Sequence, residues 1–202
     1  LENGRMQKRE IAPGIVIYSN LIENSESLAK DIEEAIDSSH GNLKWSLSYI
    51  NVAGETKQDK DIRDTYSISV PYEGNGAEGI RGYFNDSLRE TFFKAFDEVE
   101  RDYRKTFGIN FTKHDAYQIL KYGVGQKFTN HIDDSEQNHR RISSIYYIND
   151  NYEGGEIVFP RFGITYKPAA GEAIYFPSTY VYNHSVKPVI SGTRYAVVSW
   201  IK

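Results

Sequence analysis

The sequence predicts a mainly β domain with flanking helices, an α+β arrangement in which short strands close into a barrel or a two-sheet jelly roll. Three observations carry this. After His114 the chain falls into short apolar runs separated by Gly, Pro, Asn and Asp clusters, the pattern of many short strands. Before it stand two helical periods among less regular segments. The length, 202 residues, suits one domain with a real hydrophobic core. One domain over 1–202 is therefore expected, with supporting helices and strands in 1–111 and the jelly-roll core in 112–202.

Taken in order, Ile11–Tyr18 is apolar enough for an early strand. Ser25–Ser38 reads as an amphipathic helix, with Leu28, Ile32 and Ile36 at steps of four. Trp45–Val52 is a further strand, and Gly54–Asp61 is polar, charged and expected at the surface. Pro71–Gly82 is glycine-rich and reads as a loop. The clearest helix runs from about Asn85 to Phe107, with Ser87 and Glu90 spaced as a capping box and Asn85 or Asp86 as the alternative cap. Leu88, Phe92, Phe96, Val99, Tyr103 and Phe107 form its apolar stripe, and Gly108 stops it. The strands that follow are His114–Tyr122, Phe128–Ile132, Ile142–Ile148, Glu156–Phe159, Gly163–Tyr166, Ala173–Phe176, Val181–Val186 and Arg194–Ile201. The two helices are expected to cover one sheet from outside.

Composition narrows the function. A net charge of −4 gives no electrostatic case for nucleic acid or an anionic membrane. No apolar run reaches the roughly 18–20 residues of a membrane span, and no secretory signal is legible at the N-terminus. With no cysteine in the chain, disulfides and thiolate metal sites are excluded. A cytoplasmic setting is expected.

The chemistry gathers in the C-terminal half. On a strand, residues two apart face the same side, so His131 and Asp133 are expected to point together into the barrel near its mouth. His184 lies on a late strand that can pair across the sheet. Two imidazoles and one carboxylate can bind a metal on one face and leave the other positions open, as in non-heme iron(II) oxygenases. A lone His-x-Asp usually marks an ordinary surface strand; the second histidine is what turns the pair into a candidate site. Of the five histidines, His40, His114 and His139 have no such setting. Arg194, soon after His184, supplies a fixed cation for an acidic co-substrate.

The ordered segments YQILKYGVGQKFTNHID (117–133), IYYIND (145–150), GGEIVFP (154–160), GEAIYFPS (171–178) and HSVKPVISGTRYAVVSW (184–200) resemble the prolyl 4-hydroxylase branch of the 2-oxoglutarate/iron(II) oxygenases. The resemblance covers roughly Ala116 to Lys202. It implies a double-stranded β-helix, or cupin-like jelly roll, with N-terminal helices packed on one sheet. It also implies that His131, Asp133 and His184 are iron ligands and that Arg194 pairs with the far carboxylate of 2-oxoglutarate. Tyr147 would support that carboxylate, and Tyr122 would lie near the co-substrate. Arg194 stands where collagen-type members often carry lysine, and Phe128 stands where a tyrosine is often found.

The activity implied uses iron(II), 2-oxoglutarate and dioxygen, with ascorbate as a possible reductant, to hydroxylate an unactivated C–H and release succinate and carbon dioxide. The expected target is a prolyl residue in a peptide or protein. A free amino acid or other small molecule is the alternative substrate, and a catalytically silent binding module the alternative from a different class. Halogenation is disfavoured because Asp133 fills the position a halide would need. Gly54–Asp61, Pro71–Gly82 and Asp134–Arg141 are candidate substrate lids. The sequence leaves the oligomeric state open.

Overall fold

The computed structural model describes residues 5–23, 25–41, 43–52, 54–70, 86–110 and 114–202, without the side chains of 86–93. The chain opens with a hairpin of β1 (Gln7–Ala12) and β2 (Ile15–Ser19), followed by helix α1 (Ser25–Ser38). Short strands come next: β3 (Ser46–Leu47), β4 (Ile50–Val52), β5 (Glu55–Lys57), β6 (Arg63–Asp64) and β7 (Tyr66–Val70). Helix α2 (Asp86–Phe107) precedes the strands β8 (Tyr117–Tyr122), β9 (Lys127–His131), β10 (Ile142–Tyr147), β11 (Glu153–Gly154) and β12 (Ile157–Phe159). The remainder are β13 (Ile164–Tyr166), β14 (Ala173–Pro177), β15 (His184–Val186), β16 (Val189–Ser191) and β17 (Arg194–Ile201).

These strands build a two-layer jelly roll. The larger sheet runs β1-β2-β14-β10-β17-β8-β7-β3 and the smaller β13-β12-β15-β9-β6. Period-two alternation decides what each layer buries. Along β17, Ala196, Val198 and Trp200 face the space between the sheets, while Tyr195, Val197 and Ile201 face outward. Strands β8 and β14 alternate in the same way. Both faces of the larger sheet are covered, so β17 is buried along its whole length and is apolar apart from Arg194 and Ser199.

The outer face is covered by the helices, as expected. Leu28 and Ile32 of α1, and Phe96, Val99 and Tyr103 of α2, pack on Tyr117, Ile119, Tyr146, Tyr175 and Val197. Phe96 sits with its ring centroid 3.8 Å from that of Tyr146 and 4.3 Å from that of Tyr117. Gly108 ends α2 in the left-handed region, at φ +63°. No helix among the described residues is long and apolar enough to cross a membrane.

Some boundaries differ from the sequence reading. Ile11–Tyr18 is not one strand: Pro13 and Gly14 turn it into the β1–β2 hairpin, with Gly14 at φ +75°. Trp45–Val52 is split, because β3 joins the larger sheet while β4 pairs with β5. Gly54–Asp61 therefore contains a strand. Val181–Val186 begins with a 3-10 turn at Tyr180–Tyr182 before β15 starts. Pro71–Gly82, the side chains of Leu88 and Phe92, and the proposed capping box lie outside the described residues.

Candidate metal centre

Backbone pairing brings the two histidines together. His131 ends β9, His184 begins β15, and the two are direct cross-strand partners. Asp133 lies just past the end of β9 rather than on it. Its loop is anchored by the Asp134 N–H donating to the Ser178 carbonyl at 3.0 Å, and the carboxylate still turns toward the imidazoles. His131 Nε2 is 3.4 Å from Asp133 Oδ1, and His184 Nε2 is 3.7 Å from Oδ2. One donor atom from each residue falls within a 4.8 Å cluster, the size of a single ion's coordination shell.

The surroundings orient these donors. His131 Nδ1 donates to the Thr129 carbonyl at 2.8 Å and His184 Nδ1 to the Tyr182 carbonyl at 3.1 Å. Each ring thus keeps its proton on Nδ1 and presents the Nε2 lone pair to the shared space. Phe128 stacks on His131, with ring centroids 3.5 Å apart. Ser143 donates to Asp133 Oδ2 at 2.6 Å and is itself 2.8 Å from Ser178 Oγ. Burial, and then the neighbouring His131, hold His184 at about 4, so it is neutral at pH 7. Burial opposes charge on Asp133, but His184, His131 and the Ser143 hydroxyl outweigh it and hold the carboxyl well below the usual range. One carboxylate and two imidazole nitrogens fit a divalent first-row cation.

A narrow inner pocket connects this cluster to Arg194 and is walled by Leu120, Ile145 and Val198. Arg194 is 1 % exposed and pairs across strands with Tyr122. Its guanidinium carbon lies 4.7 Å from the Tyr122 ring and 5.2 Å from the Tyr147 ring. Arg194 Nε and Nη1 and the Tyr147 hydroxyl are buried with no hydrogen-bond partner among the described residues. Buried donors of this kind cost about 1–3 kcal/mol each when left unmet, more for a charged group. The arrangement therefore suits an anion supplied from outside, and a dicarboxylate reaching from the metal cluster to Arg194 meets that need.

All six residues singled out from the sequence thus converge on one pocket and its inner end. Three others were not anticipated. Ser143 was legible as a polar residue on the inward face of β10, two positions before Ile145. Arg63 is buried and lines both the inner pocket and an outer cavity, donating to the Tyr49 carbonyl at 3.0 Å; its charged local sequence reads as surface. Tyr152 lies beside Arg194 in a stretch with no periodic signal. Trp200, expected to be core, is both core and wall of the two cavities. Asp134, His40, His114 and His139 stand outside the cluster.

The outer cavity, about 410 Å³, opens on His131 and Asp133. Tyr49, Ile50, Asn51, Val52 and Thr56 of the β4–β5 region form one wall, and Ser135, Asn138 and Arg140 another. Two of the three candidate lids therefore border it.

Comparison with known proteins follows the same division of the chain. Residues 117–202 match the 2OG-Fe(II) oxygenase superfamily. The chain is 28 % identical over 164 residues to probable prolyl 4-hydroxylase 9 of Arabidopsis thaliana, covering 64 % of this chain and 57 % of that protein. It is 36 % identical over 88 residues to a PKHD-type hydroxylase of Picosynechococcus, covering 41 % of this chain and 39 % of that one. It thus spans about half the length, or less, of these curated relatives. Among solved structures, the viral collagen prolyl hydroxylase of Paramecium Bursaria Chlorella virus-1 superposes with a TM-score of 0.64 at 19 % identity, over 93 % of this chain and 95 % of that one. A prolyl hydroxylase from Trichoplax adhaerens, solved with a hypoxia inducible factor peptide fragment, gives 0.62 at 18 % identity, over 93 % and 83 %. At such identities these two show a shared fold.

Proposed function

We propose, from the match of residues 117–202 to the 2OG-Fe(II) oxygenase superfamily and the likeness to a probable prolyl 4-hydroxylase, that this chain is a 2-oxoglutarate/iron(II) oxygenase of the prolyl 4-hydroxylase-like branch and that it hydroxylates a prolyl residue in a peptide or protein. Iron(II) with 2-oxoglutarate and dioxygen supplies the oxidising power for an unactivated C–H, with succinate and carbon dioxide as co-products. His131, Asp133 and His184 hold the metal through two Nε2 atoms and one carboxylate. Ser143 and the two backbone carbonyls keep those donors aimed. Arg194 and Tyr147 hold the far carboxylate of the co-substrate, and Tyr122 backs the guanidinium. The apolar walls of the inner pocket exclude bulk water and so strengthen that charge pairing.

The substrate enters the outer cavity. Tyr49, Val52 and Ile132 are exposed around it, Tyr49 by 57 %, which offers apolar contact to an extended peptide beside the metal. A peptide substrate is further supported by the peptide complex of the Trichoplax neighbour. The observation that carries the proposal is the joint presence, in one pocket, of a complete His/Asp/His donor set and a fully buried arginine whose Nε and Nη1 lack partners among the described residues.

The test is succinate formation from 2-oxoglutarate by iron-loaded protein across a proline-containing peptide panel. The expected result is stimulated turnover with one peptide gaining the mass of one oxygen atom, lost in Asp133→Ala. Turnover stimulated instead by a free amino acid assigns a small-molecule hydroxylase. No turnover at verified iron loading assigns a silent binding module and overturns the proposal.

A further inference from the structure

Tyr152 is distant in sequence from Arg194, yet the two side chains meet over Gly155, and the Tyr152 hydroxyl lies within the influence of the guanidinium. The side chain is 5 % exposed, and its Oη is buried without a hydrogen-bond partner among the described residues, like the Tyr147 hydroxyl and Arg194 Nε and Nη1. A Cβ on Gly155 would stand 3.0 Å from Arg194 Cδ and 3.1 Å from Tyr152 Cε2. The arginine stem and the edge of the Tyr152 ring therefore meet over a residue with no side chain. Lys167 fixes the ring from elsewhere: its Nζ is 3.0 Å from the ring centroid and donates to the Tyr152 and Gly154 carbonyls at 2.9 and 3.2 Å. The ring is clamped, so its hydroxyl is presented at low entropic cost.

A phenol beside a buried guanidinium can let its oxygen face the cation while its proton points away. That proton needs an acceptor, and a carboxylate has about four lone-pair sites. Arg194 and Tyr147 do not use all of them.

We propose that Tyr152 donates a second phenolic hydrogen bond to the far carboxylate of the bound 2-oxo diacid, so that Arg194, Tyr147 and Tyr152 together select co-substrate chain length. The inference rests on the proposed function above. Three donors on one carboxylate would fix where it sits, so the five-carbon diacid is held and its six-carbon homologue is compressed or displaced.

Tyr152→Phe keeps the ring, its contact with Lys167 and its packing. The measurement is anaerobic calorimetric binding to manganese-loaded protein of 2-oxoglutarate, 2-oxoadipate and 2-oxobutyrate, the last lacking the far carboxylate. Tyr152→Phe is expected to weaken 2-oxoglutarate about tenfold, the scale of one hydrogen bond to a charged group. It should narrow the preference over 2-oxoadipate and leave 2-oxobutyrate unchanged. Equal 2-oxoglutarate affinity in variant and wild type, or an equal loss for all three acids, overturns the assignment of Tyr152 while the proposed function stands. Failure of the wild-type protein to bind 2-oxoglutarate in a metal-dependent way overturns both.

Discussion

Asp133 is held by more than its metal-facing geometry, because the Ser143 hydroxyl reaches its Oδ2 at 2.6 Å. Outer partners of this kind commonly carry ten- to hundredfold in metal affinity. Ser143→Ala is expected to weaken manganese or iron(II) binding by about tenfold without unfolding the domain, measured by competition with a chelating dye; unchanged affinity would show that the carboxylate needs no such support. His184 sets the acid behaviour of the metal-free protein. Folding lowers it from 6.5 to about 4, so between those values the unfolded chain binds the proton that the folded chain refuses. Stability linked to this residue is present above about 6.5 and is lost as pH falls toward 4. Asp133, held below its ordinary range, adds a loss only at lower pH, below the ordinary carboxylate value. Urea midpoints of chelator-treated protein should therefore decline from pH 7 to 4.5, and His184→Asn should flatten that slope.

The larger sheet is stabilised from outside by α2, and Phe96 is the element's central contact. It is buried against Tyr117 of β8 and Tyr146 of β10. Emptying such a site costs about 3–5 kcal/mol. Phe96→Ala should lower the free energy of unfolding, measured by denaturant titration, by that amount, and Phe96→Leu by clearly less; equal effects would mean that contact shape rather than volume matters here. Helix α1 ties to the same sheet through polar atoms. Glu33 accepts from Lys121, from the Trp45 indole at 3.1 Å and from the Tyr195 hydroxyl. Lys121 and Tyr195 are cross-strand partners adjacent to the Tyr122 and Arg194 pair, so the helix braces the sheet directly behind the inner pocket. Periodicity made both helices legible, because a buried stripe must recur with the helical turn. The small strands β3 to β6 were less so: two or three residues are too few for alternation to stand out, and their pairing is decided by distant partners.

At the scale of the whole molecule the candidate metal site joins the layers. His131 and His184 come from the smaller sheet, while Ser143, which holds Asp133, comes from the larger. A bound ion therefore stabilises the packed pair of sheets and not one strand. At a hundredfold excess over Kd, binding to the folded state alone contributes about 2.7 kcal/mol. For a domain of this size that corresponds to a rise in Tm of about 5–10 °C. Manganese should produce this shift in the wild-type protein and none in Asp133→Ala; an equal shift in both would place the ion elsewhere.

Strand periods, the two helices and the choice of candidate metal donors were determined by the sequence, since these depend on local spacing: an imidazole and a carboxylate two apart, apolar residues at steps of two or four. Tertiary structure decided what no local pattern encodes. It turned Asp133 inward from beyond a strand end, buried Arg63 at the junction of two cavities, and set Tyr152 beside Arg194. The reason is physical. Local spacing fixes which way a side chain faces its own backbone, whereas a binding site is a set of distances between elements, and those arise only when two sheets and two helices exclude water from the same space.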